Sequence, residues 1–332
     1  MKFRSTILAL GAAALLAAPA AQALELKLSI SPPPQTPWGK FVIRIAEKVK
    51  TASGGTLTIK NYFNDQLAGN EQNTIRQIVR GRVDLGAHSN TGISLVAPEF
   101  GLLATPFLWK DLAEADCVAD KHLLPVYEGL LRKGGVVPLT WMEVGNQIVF
   151  AKKQIKTPAD LAGLKLRTAP TPTDTIYMKV AGANSIPLGT AESMPALKTG
   201  VVQAATWPAV YGIAVGYHKV APFVTVTNHS HQLGGVVISK KVWDGLNKQQ
   251  QGWLLTAHES VGFLRKAVRG AEAALLGKIA KGGATVYRPN AAEMKAWRAK
   301  APAAQAQIIK DFGGQSAEVW KRLQAARKAC AA

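Results

Sequence analysis

The chain of 332 residues has only two cysteines, Cys117 and Cys330. That excludes a small disulfide-knitted scaffold, which needs dense cystines because its core is too small. It leaves open whether the two pair in an oxidising compartment or stand as one buried thiol and one tail thiol. No Cys/His cluster has metal-ligand spacing, and the six histidines lie in unrelated contexts. The G-x-S-x-G, H-E-x-x-H and G-x-G-x-x-G signatures are all missing. Asp84 and Asp174 are single acids with no visible partner, so general acid–base chemistry lacks its two placed groups. The expectation is a protein that is not an enzyme and needs no cofactor and no metal. Past the first two dozen positions no apolar run reaches the roughly 20 residues of a membrane-spanning helix. Acids are scarce too, 21 against 40 Lys plus Arg, for a net charge of +19.

The N-terminus carries Lys2 and Arg4, then the apolar stretch ILALGAAALLAAPA, then AQA at Ala21–Ala23. A basic start, an apolar core and a small-x-small site make a secretory signal peptide over 1–23. The mature chain then starts at Leu24, and the alanine-rich composition points to a bacterial periplasm. From Ser239 to Ala332 there are 17 Lys plus Arg against 6 Asp plus Glu. Such an excess suits nucleic acid, an anionic membrane or anionic small molecules. Export and the lack of a binding motif exclude nucleic acid. A solvated cationic face is the plain alternative to attraction of an anionic solute.

From Leu24 the pattern alternates strand and helix: LELKLSIS, KFVIRIAEKVKTAS, TLTIKNYF, NEQNTIRQIVRG, RVDLGAHS. This is the signature of a parallel sheet covered by helices. The pattern restarts at Thr157, where Thr157, Pro158 and Asp160 start a short helix that Gly163 ends. The strand LKLRTA, a helix over Thr173–Val180, the strand NSIPL, the helix AESMPALKT and the strand VVQAAT follow. IVRGRVDLGAHS and ALKTGVVQAATW read as equivalent pieces of two similar domains. From Gln249 one long or kinked helix is expected, then a lone strand and further helices.

Arg167 closes the strand LKLRTA just before the next helix. In open parallel sheets ligands sit at the carboxyl ends of strands, where helix N-termini also point. A guanidinium offers a rigid fork for a carboxylate, so an anion is the natural guest.

The segments KTPADLAGLKLRTAP, ALKTGVVQAATW and GYHKVAPFVTVTNH, with QLAGNEQNTIRQIVRGRVDLG and LLATPFLW upstream, resemble the solute-binding proteins of TRAP (tripartite ATP-independent periplasmic) transporters. The resemblance covers nearly the whole mature chain. It implies an α/β fold of the two-domain periplasmic-binding-protein (flytrap) type, with a long helix spanning both domains. The expected boundaries are 24–145 with 235–270 for domain I, and 146–234 with 271–332 for domain II. It implies an organic-acid ligand, the small and large membrane subunits of a permease as partners, and a monomer. Arg167, in the family's GLKxR motif, is the implied carboxylate clamp. Gln147 stands where many acid binders of the family have Arg, and Thr206 and Trp207 where many have an acid and Asn. Trp207 therefore suggests an apolar or aromatic ligand portion packed on the indole. A branch of the family that binds 2-oxo or 2-hydroxy monocarboxylates matches Gln147, Trp207 and Gln232. Its cation site does not carry over, since Thr206 is not an acid.

Across the cleft, Thr36–Trp38, Asn70–Glu71 and Ser89–Asn90 are the candidate contacts, with turn formation as the alternative. Thr190 and Tyr211 complete the set, and Tyr211 suits cleft or core equally. His231 is read as a solvated loop residue, with a hydrogen bond to ligand from the strand start as the alternative. The leading expectation is a monocarboxylate with an apolar, aromatic or 2-oxo/2-hydroxy portion. The alternatives are a dicarboxylate or sugar acid, or a ligand-loaded partner of a sensor.

Overall fold

A computed structural model describes residues 23–331; the signal peptide expected over 1–23 lies, save Ala23, outside them. The strands are β1 (Leu24–Ile30), β2 (Leu57–Tyr62), β3 (Leu85–Ser89), β4 (Val136–Ala151), β5 (Lys165–Thr168), β6 (Asn184–Pro187), β7 (Ala204–Pro208), β8 (Phe223–Thr225), β9 (His231–Ser239) and β10 (Thr285–Tyr287). Their main path runs β2-β1-β3-β9-β4-β7-β5-β6. β1 pairs in parallel with β2 and β3, and β5 does so with β6 and β7. Each end of the path is thus a parallel αβ unit, as the repeated helix–Gly–strand pattern requires.

The middle of the path joins the two. β4 runs antiparallel to β9 from Val136 to Asn146, then to β7 from Gln147 to Ala151. One 16-residue strand therefore passes from the first half into the second. Its pairing shifts register between Glu143 and Gly145, and Gly145 takes φ +105°, which only glycine adopts without strain.

The first half forms around the helix Pro37–Ala52. Thr36 caps it, its hydroxyl accepting from Gly39 N, and Pro37 suits the first position. Phe41, Val42, Ile45 and Val49 fall on one face and are fully buried against Leu28, Ile30 and Leu57. Gly39 is required by close approach, since a Cβ there would lie 2.4 Å from Pro33 O. Of the long or kinked helix expected from Gln249, the structure shows the interrupted form. Helices Lys248–Leu255 and Val261–Lys281 are separated by a 3-10 turn at Thr256–Ser260. The turn keeps Leu254, Ala257, Val261 and Leu264 all buried. The helix Val261–Lys281 touches Pro37–Ala52 and β4 on one side, and the short helix Ala209–Ala214 and β10 on the other. It spans the halves as expected.

The two cysteines form a disulfide, with Cα atoms 5.8 Å apart. It fastens the C-terminal helix Ser316–Cys330 to the helix Leu112–Lys121. That last helix, grouped by its sequence position with domain II, packs on Leu112–Lys121 and Leu123–Lys133.

Candidate ligand-binding cleft

Strand ends from both halves line a cavity of about 80 Å³ between them. That is room for a small metabolite, not a peptide. Among the described residues Arg167 is its only Lys or Arg and Glu71 its only carboxylate.

Arg167 is 2% exposed. Its Nε donates to Leu188 O at 3.0 Å and its Nη1 to Thr206 O at 2.8 Å. Both acceptors are backbone, so the guanidinium plane is fixed before any ligand arrives. With Nε and one Nη1 hydrogen engaged, the Nη2 hydrogens and the second Nη1 hydrogen are the donors left for a carboxylate. Burial pulls the guanidinium down to about 10, partly offset by Tyr217 and Asp174, so it remains charged at neutral pH. Its Cζ sits 3.6 Å from the ring centroid of Trp207, a stacked cation–π pair.

Trp207 lies in β7 opposite Ile148, boxed by Tyr211 and Tyr217 with ring centroids 5.2 and 5.1 Å away. Its buried Nε1 has no hydrogen-bond partner among the described residues. Gln147, one residue into the second-half stretch of β4, has an unpartnered Oε1, and Thr190, at the first turn of the helix Thr190–Thr199, an unpartnered Oγ1. Gln232 of β9 completes this wall. These orphaned atoms belong to residues that line the cavity, so a polar ligand or water that enters can satisfy them after small side-chain shifts.

The opposite wall is built differently. Glu71 opens the helix Glu71–Arg80 and accepts from Ser89 N at 2.6 Å and Ser89 Oγ at 2.9 Å. His88 Nδ1 lies 3.6 Å behind it. Burial alone would raise the Glu71 carboxyl, yet His88 and Ser89 together hold it below the usual range. Trp38 donates to Glu143 O at 2.8 Å and meets Tyr211 edge-on at 6.4 Å. Gln72, Thr91, Met142 and Val144 fill in between.

The structure thus brings Arg167, Trp207, Gln147, Gln232, Glu71, Thr190 and Tyr211 to one cavity. Asn90 is completely buried in the short helix Asn90–Ile93 and does not line it. Thr36 and Asn70 cap helices, as the turn-forming alternative has it. His231 is corrected from solvated to buried. Nδ1 faces Asn146 Oδ1 at 3.1 Å, and desolvation lowers the imidazole to about 4, so it is neutral. Asp174 accepts from Ala169 N and Thr206 Oγ1, and neither is a second acid or base. Ser31, Pro32, Met142 and Val144 went unread as wall residues. Only their position at strand ends and beside the β4 register shift could have flagged them. Among the described residues one group of three metal-ligating types comes together, Cys117, His122 and Cys330, and its sulfurs are spent in the disulfide.

The chain is similar to known proteins. Residues 28–311 match the family model of the bacterial extracellular solute-binding proteins, family 7. The chain belongs to that family. It is a TRAP solute-binding protein, a binding component of transport. The 2,3-diketo-L-gulonate-binding periplasmic protein YiaO of Escherichia coli is 32% identical over 231 residues, 69% of each chain. Among solved structures, a Ralstonia eutropha TRAP protein with bound (S)-2-acetolactate is 26% identical, with TM-score 0.83, over 92% of this chain and 98% of that one. A sugar acid binding protein of Advenella mimigardefordensis with galactonate is 25% identical, with TM-score 0.84, over 92% and 99%. A Bradyrhizobium protein with galacturonate is 26% identical, with TM-score 0.84, over 91% and 99%. The two-domain flytrap fold is therefore as expected.

Proposed function

We propose that this protein captures a sugar acid in the periplasm and hands it to the membrane subunits of a TRAP transporter. The observation that carries this reading is the pairing of one fixed cation, Arg167, with a wall of hydrogen-bonding groups and one ionised acceptor, Glu71. A single carboxylate matches Arg167, and ligand hydroxyls match Glu71, Gln72, Gln147, Thr190 and Gln232. The expectation of an apolar or aromatic portion on Trp207 gives way, because the guanidinium is stacked on that indole face. The named ligands of the relatives support the same preference, being a diketo-gulonate, a galactonate and a galacturonate. A short 2-hydroxy-3-oxo acid is the second reading, favoured by the acetolactate complex. We take the protein to act as a monomer.

A melting-shift screen of the purified protein with galactonate, galacturonate, 2-acetolactate, succinate and phenylacetate tests it. A ligand at 100 times its dissociation constant adds about 2.7 kcal/mol. Sugar acids are expected to stabilise most. Stabilisation by phenylacetate or succinate alone would overturn the reading. Uptake of that acid in a strain lacking the adjoining membrane subunits separates transport from sensing.

A further inference from the structure

An acid that does not line the cavity bonds two residues next to the Arg167 guanidinium's supports. Asp174 sits in the first turn of the helix Pro172–Val180 and is 4% exposed. Its Oδ2 accepts from Ala169 N at 3.1 Å and from Thr206 Oγ1 at 3.0 Å. Ala169 lies two residues past Arg167 and lines the cavity. Thr206 supplies the carbonyl on which Arg167 Nη1 rests, and precedes Trp207. One carboxylate oxygen therefore ties the outgoing end of β5 to the middle of β7, the two segments that carry the stacked guanidinium and indole.

We propose that Asp174 is the positioning residue of the anion-binding pole: through Thr206 and Ala169 it sets Arg167 against Trp207 without touching ligand. Tying two strands needs only a neutral acceptor, and burying a carboxylate costs more. A charge here is accounted for by Arg167, a buried cation whose own Nε and Nη1 donors rest on carbonyls rather than on an acid. Each charge eases the burial of the other. Burial holds the Asp174 carboxyl above its ordinary value, and Ala169 N, Arg167 and Thr206 offset only part of that rise. A guanidinium fixed in advance loses less freedom when the ligand carboxylate arrives.

The test begins without ligand. In ¹⁵N spectra of arginine side chains, the Arg167 Nε–H signal is assigned by its loss in Arg167→Lys. Asp174→Asn and Thr206→Val should shift or broaden that signal, while Thr206→Ser, which keeps the hydroxyl, should leave it in place. An Arg167 signal unchanged in both Asp174→Asn and Thr206→Val overturns the proposal. If Asp174→Asn does not fold, Thr206→Val decides alone.

The second arm rests on the sugar-acid reading and uses galactonate in calorimetry. Asp174→Asn and Thr206→Val should bind about 3- to 10-fold more weakly, the scale of one side chain left to be ordered on binding. Thr206→Ser should stay within about twofold. Weaker binding beside an undisturbed Arg167 signal also overturns the proposal, since the loss then arises elsewhere. A wild-type protein that ignores galactonate, galacturonate and acetolactate removes the sugar-acid reading, while the arginine spectrum still decides on Asp174.

Discussion

The ends of β3 and β5 use one device with opposite results. At each, a buried carboxylate accepts the backbone N–H that leaves the strand: Glu71 from Ser89 and Asp174 from Ala169. At β3 the carboxylate faces the cavity, and its neighbours keep it ionised. At β5 the carboxylate stands behind an arginine, and the arginine faces the cavity. The cleft therefore has a cationic pole on one wall and an acceptor on the other. Strand-end architecture supplies the anchoring, and the side chain nearest the cavity decides what each wall reads. Perturbing each wall in turn tests that division.

The largest effect is expected from Arg167→Ala. Truncating one partner of a buried, hydrogen-bonded charge pair costs about 2–5 kcal/mol. Affinity for the best acid should fall roughly 30-fold to several thousand-fold, at about 1.4 kcal/mol per decade. Arg167→Lys keeps the charge but loses the fork, and should fall between. Because Leu188 O and Thr206 O lose their donor, the ligand-free protein should also melt lower, by about 1–3 kcal/mol for each buried group left unpaired. Calorimetric titration beside a melting curve separates the two losses. Wild-type affinity in Arg167→Ala would dissolve the distinction between the walls.

That wall was readable from the chain alone, and the other largely was not. Arg167 ends a short alternating strand in a specific motif, and Gln147 and Trp207 stand at motif positions. The Glu71 wall comes from loop residues whose types also make turns, and Thr36 and Asn70 turned out to do that. Asn90 follows Ser89 directly, yet the start of a short helix turns it into the core. Composition distinguishes none of these, because the outcome depends on which way one backbone turn points. The same limit applied to Asp174 and His231. Their partners, Thr206 and Asn146, lie 32 and 85 residues away in sequence. The long helix was legible in period, but its 3-10 break depends on packing against Pro37–Ala52.

The disulfide supplies a contrast that spares both walls. Neither Cys117 nor Cys330 lines the cavity, and the bond closes a sequence separation of 213. Serine at both positions should lower unfolding stability by about 2–4 kcal/mol. Affinity should stay at the wild-type value, the reverse of the Arg167 pattern. The intact oxidised protein should show no thiol on titration after unfolding. Weaker binding with stability intact would mean that the C-terminal helix acts on the cleft.

Glu71→Gln addresses the acceptor wall. The amide offers one acceptor oxygen where the carboxylate offers two, so Ser89 loses part of its support, at about 1–3 kcal/mol. The effect has a pH signature. The Glu71 carboxyl is held below its ordinary value in the folded protein, so its ionisation stabilises the fold above the unfolded value of about 4.3. That contribution is lost as pH falls through the lower folded value. The stability gap between wild type and Glu71→Gln should therefore be flat above about pH 5 and narrow below about pH 4. Taking the difference between the two proteins cancels Asp174 and Glu143, whose carboxyls burial raises. A gap that widens on acidification would show that Glu71 is not the ionised acceptor of this wall.

The smallest effect belongs to Trp207→Phe. The guanidinium stacks on the indole at 3.6 Å, and a phenyl ring supplies a weaker face of the same kind. Such pairs contribute about 0.5–2 kcal/mol depending on desolvation, and only part of that is lost. Affinity should drop about 2- to 10-fold, well short of Arg167→Ala. The loss should be the same for galactonate and for acetolactate, because the indole orients the arginine that both carboxylates meet. If instead the variant loses affinity only for an apolar acid, Trp207 touches ligand directly, and the cationic wall has two recognition elements rather than one. Intrinsic fluorescence on ligand addition gives the second readout. A wild-type change that disappears in Trp207→Phe locates the reporter at the stacked pair.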